Sequence, residues 1–223
     1  MSTPRFQAVL FDLDGTLLDT LADLAAACNA ALHQHGCVRL SEQEIKTYIG
    51  YGARQLIEST VRVSRPTWPD EKIDPVYRTY REIYGRDWHI QTALYPGIAE
   101  LITDLKAAGV KLAVLSNKPH DSTLEVINYY FPAGTFDLCY GQLEPFPTKP
   151  DPALALHIAQ KLGVTPGQVA LIGDSGSDML TAVRARMTGI GVLWGFRDAE
   201  DLQDGGATFL AQDVAELRHL LLG

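Results

Sequence analysis

The sequence is poor in cysteine, in long apolar runs and in clustered positive charge. Its three cysteines, Cys28, Cys37 and Cys139, form an odd, widely spaced set with no C-x-x-C pair. That excludes a disulfide framework and fits a reducing, cytoplasmic setting. The stretch MSTPRFQAVLFDLDGT reaches Asp12 after only a short apolar run. A signal peptide needs a longer run, and a membrane span needs about 20 apolar residues, so no membrane partner is expected. Lysine and arginine number 19 against 27 acidic residues, for a net charge of −8. No basic run offsets this, so a nucleic-acid surface is excluded while a local anion pocket is not. The histidines at 33, 35, 89, 120, 157 and 219 show no metal-ligand spacing. GYGARQ (50–55) lacks the third glycine of a dinucleotide fingerprint, and no G-x-S-x-G is present.

What is present is ordinary globular material: 223 residues, 46% hydrophobic and 21% charged. Domains run to about 100–200 residues, so the chain is one large domain or a domain with an insertion. Short apolar runs recur at QAVLFDLD (7–14), KLAVLSN (111–117), FDLCYG (136–141), VALIGDS (169–175), GIGVLW (189–194) and ATFLA (207–211). Continuous rather than alternating apolarity suits strands buried on both faces. Between them lie helical stripes: Ile98, Leu101, Ile102 and Leu105 before Gly109; Leu154, Ile158 and Leu162 before Gly163; and Val214, Leu217 and Leu221. Strands alternating with helices predict a doubly wound α/β fold with a parallel sheet.

One connection is too long. A crossover needs about a dozen residues, and the 97–109 helix already supplies one between Asp14 and Lys111. Residues 17–92 are therefore expected to form an inserted helical subdomain, with 1–16 and 93–223 as the core. Leu21, Leu24, Ala25, Cys28 and Leu32 line one of its faces; Leu56, Ile57, Thr60 and Val61 another; Ile73, Tyr77, Tyr80 and Tyr84 a third. Ser41 and Glu44 have capping-box spacing, and SRPTWPDEKIDP (64–75) reads as the most loop-like stretch.

Polar residues follow each of four strands: Asp12-Leu13-Asp14-Gly15-Thr16, Ser116-Asn117, Lys149, and Asp174 with Asp178. In parallel sheets ligands bind beyond the carboxyl ends of strands, so these groups should converge. Singly, each has a bland reading. Asp-Gly and Ser-Asn make turns, aspartates cap helices, and lysines are usually solvated. GDSG at 173–176 matches a serine-protease motif, but a reduced chain of alternating strands and helices does not suit that class.

Taken in order, DLDGT (12–16), Ser116, Lys149 and GDSGSD (173–178) resemble the four motifs of the haloacid dehalogenase superfamily of phosphohydrolases. The resemblance spans nearly the whole chain. SNKPH (116–120), TKPDP (148–152) and DMLTAV…GVLWGFRD look most like its phosphoglycolate-phosphatase-type members. It implies a Mg²⁺-dependent cytoplasmic phosphatase, monomeric or homodimeric, acting on a small phosphate ester through an aspartyl-phosphate, with a helical cap. Asp12 is the implied nucleophile and Asp14 the acid and base. Asp12, Asp174 and the Asp14 carbonyl are the implied metal ligands. Ser116, the Asn117 backbone N–H and Lys149 would bind phosphate. Asp178 would order metal-bound water or Lys149.

Arg54, beside Gly50 and Gly52 at a helix start, sits where family members place a specificity loop. It would pair with a substrate carboxylate, which makes 2-phosphoglycolate the expected substrate. A phosphomutase of the same superfamily, or a binding module that kept the fold, are the alternatives. Relatives usually carry glycine where Arg186 stands.

Overall fold

The computed structural model describes residues 5–223; residues 1–4 of the opening stretch lie outside it. Strand β1 (Ala8–Phe11) is followed by the short strand β2 (Leu18–Asp19) and helices α1 (Leu21–Gln34), α2 (Glu42–Lys46), α3 (Ala53–Ser64) and α4 (Asp70–Asp87). The short strand β3 (Ala93–Leu94) pairs with β2. Then α5 (Ile98–Ala107), β4 (Lys111–Pro119), α6 (His120–Tyr130), β5 (Leu138–Gln142), α7 (Ala153–Leu162), β6 (Val169–Gly173), α8 (Gly176–Ala185), β7 (Thr188–Val192), α9 (Ala199–Asp204), β8 (Phe209–Ala211) and α10 (Val214–Leu222) alternate. Two compact units result. One comprises the residues up to Leu18 together with Leu94–Gly223, and the other Asp19–Ala93.

The first unit is a six-stranded sheet in the order β5-β4-β1-β6-β7-β8. Every neighbouring pair is parallel. The expected runs form these strands because both faces are covered. Ala8 and Leu10 face one side with Leu115, Leu171, Leu154 and Ile158, drawn from β4, β6 and α7. The alternate residues Val9 and Phe11 point to the other face and are also fully buried. The order places β1 centrally, so the residues after it lie between those that follow β4 and β6.

Helix ends follow their residues. Gly163 closes α7 with φ 68. Arg186 closes α8 with φ 58 and ψ 37, the left-handed conformation that glycine adopts without strain. An arginine therefore holds a backbone conformation that favours glycine. Its N–H still reaches the Val183 carbonyl at 3.1 Å, so the turn forms.

The second unit holds the four helices α1 to α4. Ser41 and Glu44 make their capping box at the start of α2: the Ser41 N–H donates to Glu44 Oε2 at 2.7 Å, and the Glu44 N–H to Ser41 Oγ at 3.2 Å. Leu56, Ile57, Thr60 and Val61 of α3 are all buried. The buried stripe of α4 is Ile73, Val76, Tyr80 and Tyr84, while Tyr77 is only half-buried. Tyr80 and Tyr84 stack with centroids 5.7 Å apart. The stretch 64–75 is less loop-like than its prolines suggest, because α4 begins at Asp70 and runs through Pro75. That proline removes one backbone bond early in the helix, and the buried stripe beyond it holds the helix.

Candidate active site

Asp12 follows the fully buried β1, and its N–H donates to the Ile172 carbonyl of β6 at 2.8 Å. Asp174 and Asp178 come from the end of β6 and the first turn of α8. Ser175 caps that helix, and its hydroxyl donates to Asp178 Oδ2 at 2.5 Å. Lys149 arrives on the segment between β5 and α7. Its ammonium lies 2.8 Å from Asp12 Oδ1 and 2.6 Å from Asp178 Oδ1, and donates to the Leu115 carbonyl at 3.1 Å. Groups from the ends of several strands thus meet around one buried ammonium.

Asn117 fixes that lysine from β4. Its Oδ1 accepts the Lys149 N–H at 2.8 Å, and its Nδ2 donates to the Lys149 carbonyl at 3.2 Å. Its side chain is therefore committed to the protein. Ser116 is buried, and its hydroxyl oxygen accepts the Lys118 N–H at 3.2 Å.

Lys118 is the residue sequence reasoning missed. Its side chain is buried, and Nζ donates to Asp14 Oδ1 at 3.0 Å and Oδ2 at 3.1 Å. The expected strand ended at Asn117, whereas β4 extends to Pro119 with a shift of register between Leu115 and Pro119, so strand alternation gave no signal for Lys118.

Asp12, Asp174 and Asp178 each offer a carboxylate oxygen within 4.8 Å of the others, the one such group among the described residues. Asp178 supplies a carboxylate where the Asp14 side chain, turned to Lys118, does not. Burial raises Asp174 to about 8, with Asp12 and Asp178 adding like-charge repulsion. Burial also raises Asp12 to about 6, Lys149 opposing and Asp178 reinforcing the shift. Burial works against the charge on Lys149, but the facing carboxylates outweigh it and hold the ammonium above its ordinary range. Asp12 Oδ1 faces the Lys149 ammonium at 2.8 Å, and the same ammonium is shared with Asp178. With Asp14 and Lys118 included, four carboxylates face two ammonium groups. An excess of buried negative charge and an all-oxygen donor set fit a hard divalent cation.

Gly15 makes the site compact. Its φ is 84, and a Cβ there would lie 2.2 Å from Asp174 Oδ2. Elsewhere the thiols are quiet: burial pushes Cys28 and Cys139 up to about 11, so neither offers a thiolate nucleophile at neutral pH. Among the described residues, no helix is long and apolar enough to cross a membrane.

Arg54 stands apart from this chemistry. It lies in the first turn of α3, after Gly50 and Gly52, whose φ angles are 110 and 92. Its Nε donates to Glu58 at 2.5 Å and its Nη1 to Asp74 at 2.5 Å, with the guanidinium 5.5 Å from the Tyr77 ring centroid. Its charge is already met by carboxylates of the same unit.

Residues 9–192 match the family model of haloacid dehalogenase-like hydrolases. The chain is 33% identical to the phosphoglycolate phosphatase of Psychrobacter arcticus, covering 97% of this chain and 96% of that one. It is 30% identical to the Vibrio vulnificus phosphoglycolate phosphatase, covering 100% and 99%. A crystal structure from Lactobacillus delbrueckii subsp. bulgaricus, a candidate phosphoglycolate phosphatase, is 32% identical with a TM-score of 0.91, covering 98% and 99%. With an acidic cluster at the ends of a central parallel sheet and likeness along its full length, the chain belongs to the haloacid dehalogenase-like hydrolase family.

Proposed function

We propose that the protein is a Mg²⁺-dependent phosphatase that hydrolyses a small phosphate monoester, 2-phosphoglycolate, through an aspartyl-phosphate on Asp12. The observation that carries this reading is the buried set of Asp12, Asp174 and Asp178, three carboxylates gathered around the one ammonium of Lys149. Asp12, Asp174 and the Asp14 carbonyl would hold the cation, with Asp178 beside them. Magnesium would supply neutralisation of a dianionic ester facing an anionic nucleophile.

The chain's own residues do the rest. An oxygen of Asp12 attacks phosphorus, and the bond from phosphorus to the ester oxygen breaks. Asp14 must start protonated, which requires it to leave the Lys118 ammonium that both its oxygens accept from; it then gives that proton to the leaving oxygen. As a carboxylate it then takes a proton from water. That water attacks phosphorus and releases inorganic phosphate with Asp12 restored. Ser116, the Asn117 N–H and Lys149 bind the phosphate oxygens.

The substrate rests on the named relatives, which are phosphoglycolate phosphatases about a third identical to this chain. The core groups described above grip only phosphate and the reacting oxygen. Selection belongs to the inserted helical segment, acting as a cap that excludes water. A panel of small phosphate esters, assayed with Mg²⁺ and with excess chelator, tests both parts. Phosphoglycolate should be hydrolysed fastest and only with the metal. Full activity in chelator contradicts the metal, and no hydrolysis of phosphoglycolate contradicts the substrate.

A further inference from the structure

We infer that the loop after β7, Trp194-Gly195-Phe196, is a strap that holds the Asp174 carboxylate in its ligating position and thereby sets the site's affinity for its cation. This rests on the reading of Asp174 as a metal ligand. The Phe196 N–H donates to Asp174 Oδ2 at 2.7 Å. The strap is anchored at two points. The Leu193 N–H donates to the Ala211 carbonyl at 3.0 Å, tying the loop's start to β8. The Trp194 indole N–H donates to the Thr16 carbonyl at 3.1 Å, tying the loop to the turn after β1.

Thr16 serves both ends of this arrangement, because its hydroxyl also lies 3.4 Å from Asp174 Oδ1. Each Asp174 oxygen therefore has a partner from the protein, and each keeps further lone pairs for a cation. Gly195 is what lets the strap lie against the site. A Cβ there would sit 2.2 Å from the Asp174 Cβ and 2.5 Å from the Gly15 carbonyl oxygen. The strap and the turn after β1 thus meet across one carboxylate, with no room for a side chain between them.

A carboxylate fixed before the cation arrives loses little freedom on ligation, and its outer partners govern affinity. Mutating such partners costs about 10–100-fold in metal binding. Trp194 does not touch Asp174, so it is a positioning residue that acts through the loop.

The test is a titration of the full-length, metal-free protein with Mn²⁺, followed by electron paramagnetic resonance of the free ion. Trp194→Phe keeps an aromatic ring but removes the N–H donor together with the second ring, and its Kd for Mn²⁺ should rise about tenfold. Gly195→Ala should weaken binding further, and Asp174→Asn should weaken it most. If Gly195→Ala does not fold, Trp194→Phe alone decides. An unchanged Kd in Trp194→Phe, while Asp174→Asn abolishes binding, overturns the strap and leaves the metal site standing. A lowered melting temperature without a change in Kd means a structural role only, and overturns it equally. No Mn²⁺ binding by the wild type removes Asp174 as a ligand, and the proposal with it.

Discussion

Two groups of charges, one in each unit, are treated in opposite ways. In the sheet-based unit Asp12, Asp174, Asp178 and Lys149 are all buried, three carboxylates around one ammonium. In the helical unit Arg54 and its partners Glu58 and Asp74 have side chains 37%, 24% and 52% exposed and satisfy one another. Exposed pairs contribute about 0–1 kcal/mol, whereas a buried cluster with an excess of one charge is costly. A fold retains an arrangement of the second kind where the chemistry needs it. The contrast marks the buried cluster as the candidate site of the reaction.

The sharpest way to break the comparison is Asp12→Asn. It keeps the shape and removes the nucleophilic charge, so turnover should fall by several powers of ten in a folded protein. Near-wild-type turnover in a variant with an unchanged circular dichroism spectrum would end the covalent account. Next comes Lys149→Met. It strands the two buried carboxylates that the ammonium pairs, Asp12 and Asp178, and denaturant unfolding of the metal-free protein should show a loss of about 3–5 kcal/mol.

Acidity sharpens the contrast further. Asp12 and Asp174 are raised in the folded protein, to about 6 and about 8, so the folded state binds more protons than the unfolded one above the ordinary aspartate range. Their contribution to stability is present at low pH and is lost as pH rises through those values. Metal-free wild type should therefore lose stability between pH 6 and pH 8 relative to Asp174→Asn, read from melting temperatures in chelator. Parallel pH profiles for the two would contradict the buried, repelling cluster.

Smallest is Arg54→Ala. Loss of its exposed pairs should cost about 1 kcal/mol or less. If the cap recognises a carboxylate through this residue, KM for phosphoglycolate rises far more than KM for an uncharged aryl phosphate. Equal effects would assign Arg54 to the cap's own ion pairs with Glu58 and Asp74.

The sheet was legible because its strands are buried on both faces, which writes them as apolar runs that end where polar residues begin. Helix α6 was not anticipated, since its buried residues are only Thr123, Val126 and Ile127 in an otherwise polar stretch. Helix α9 spans six residues, too few for a period to show. Asp12, Asp174, Asp178 and Lys149 were legible through ordered motifs. Lys118 was not singled out, because a lysine beside a turn-like Ser-Asn pair reads as solvated until β4 is known to continue through it. At Arg54 the i,i+4 spacing to Glu58 was readable as a helix pair and was passed over, whereas Asp74, 20 residues away, left no such signal.

The central claim is that Asp12 becomes phosphorylated during turnover. Protein mixed with Mg²⁺ and phosphoglycolate, quenched in acid within one turnover, reduced with borohydride and digested, tests it by mass spectrometry. Reduction of an aspartyl-phosphate leaves homoserine, so position 12 should carry that residue in wild type and never in Asp12→Asn. Unmodified Asp12 in protein that is visibly turning over would contradict the account.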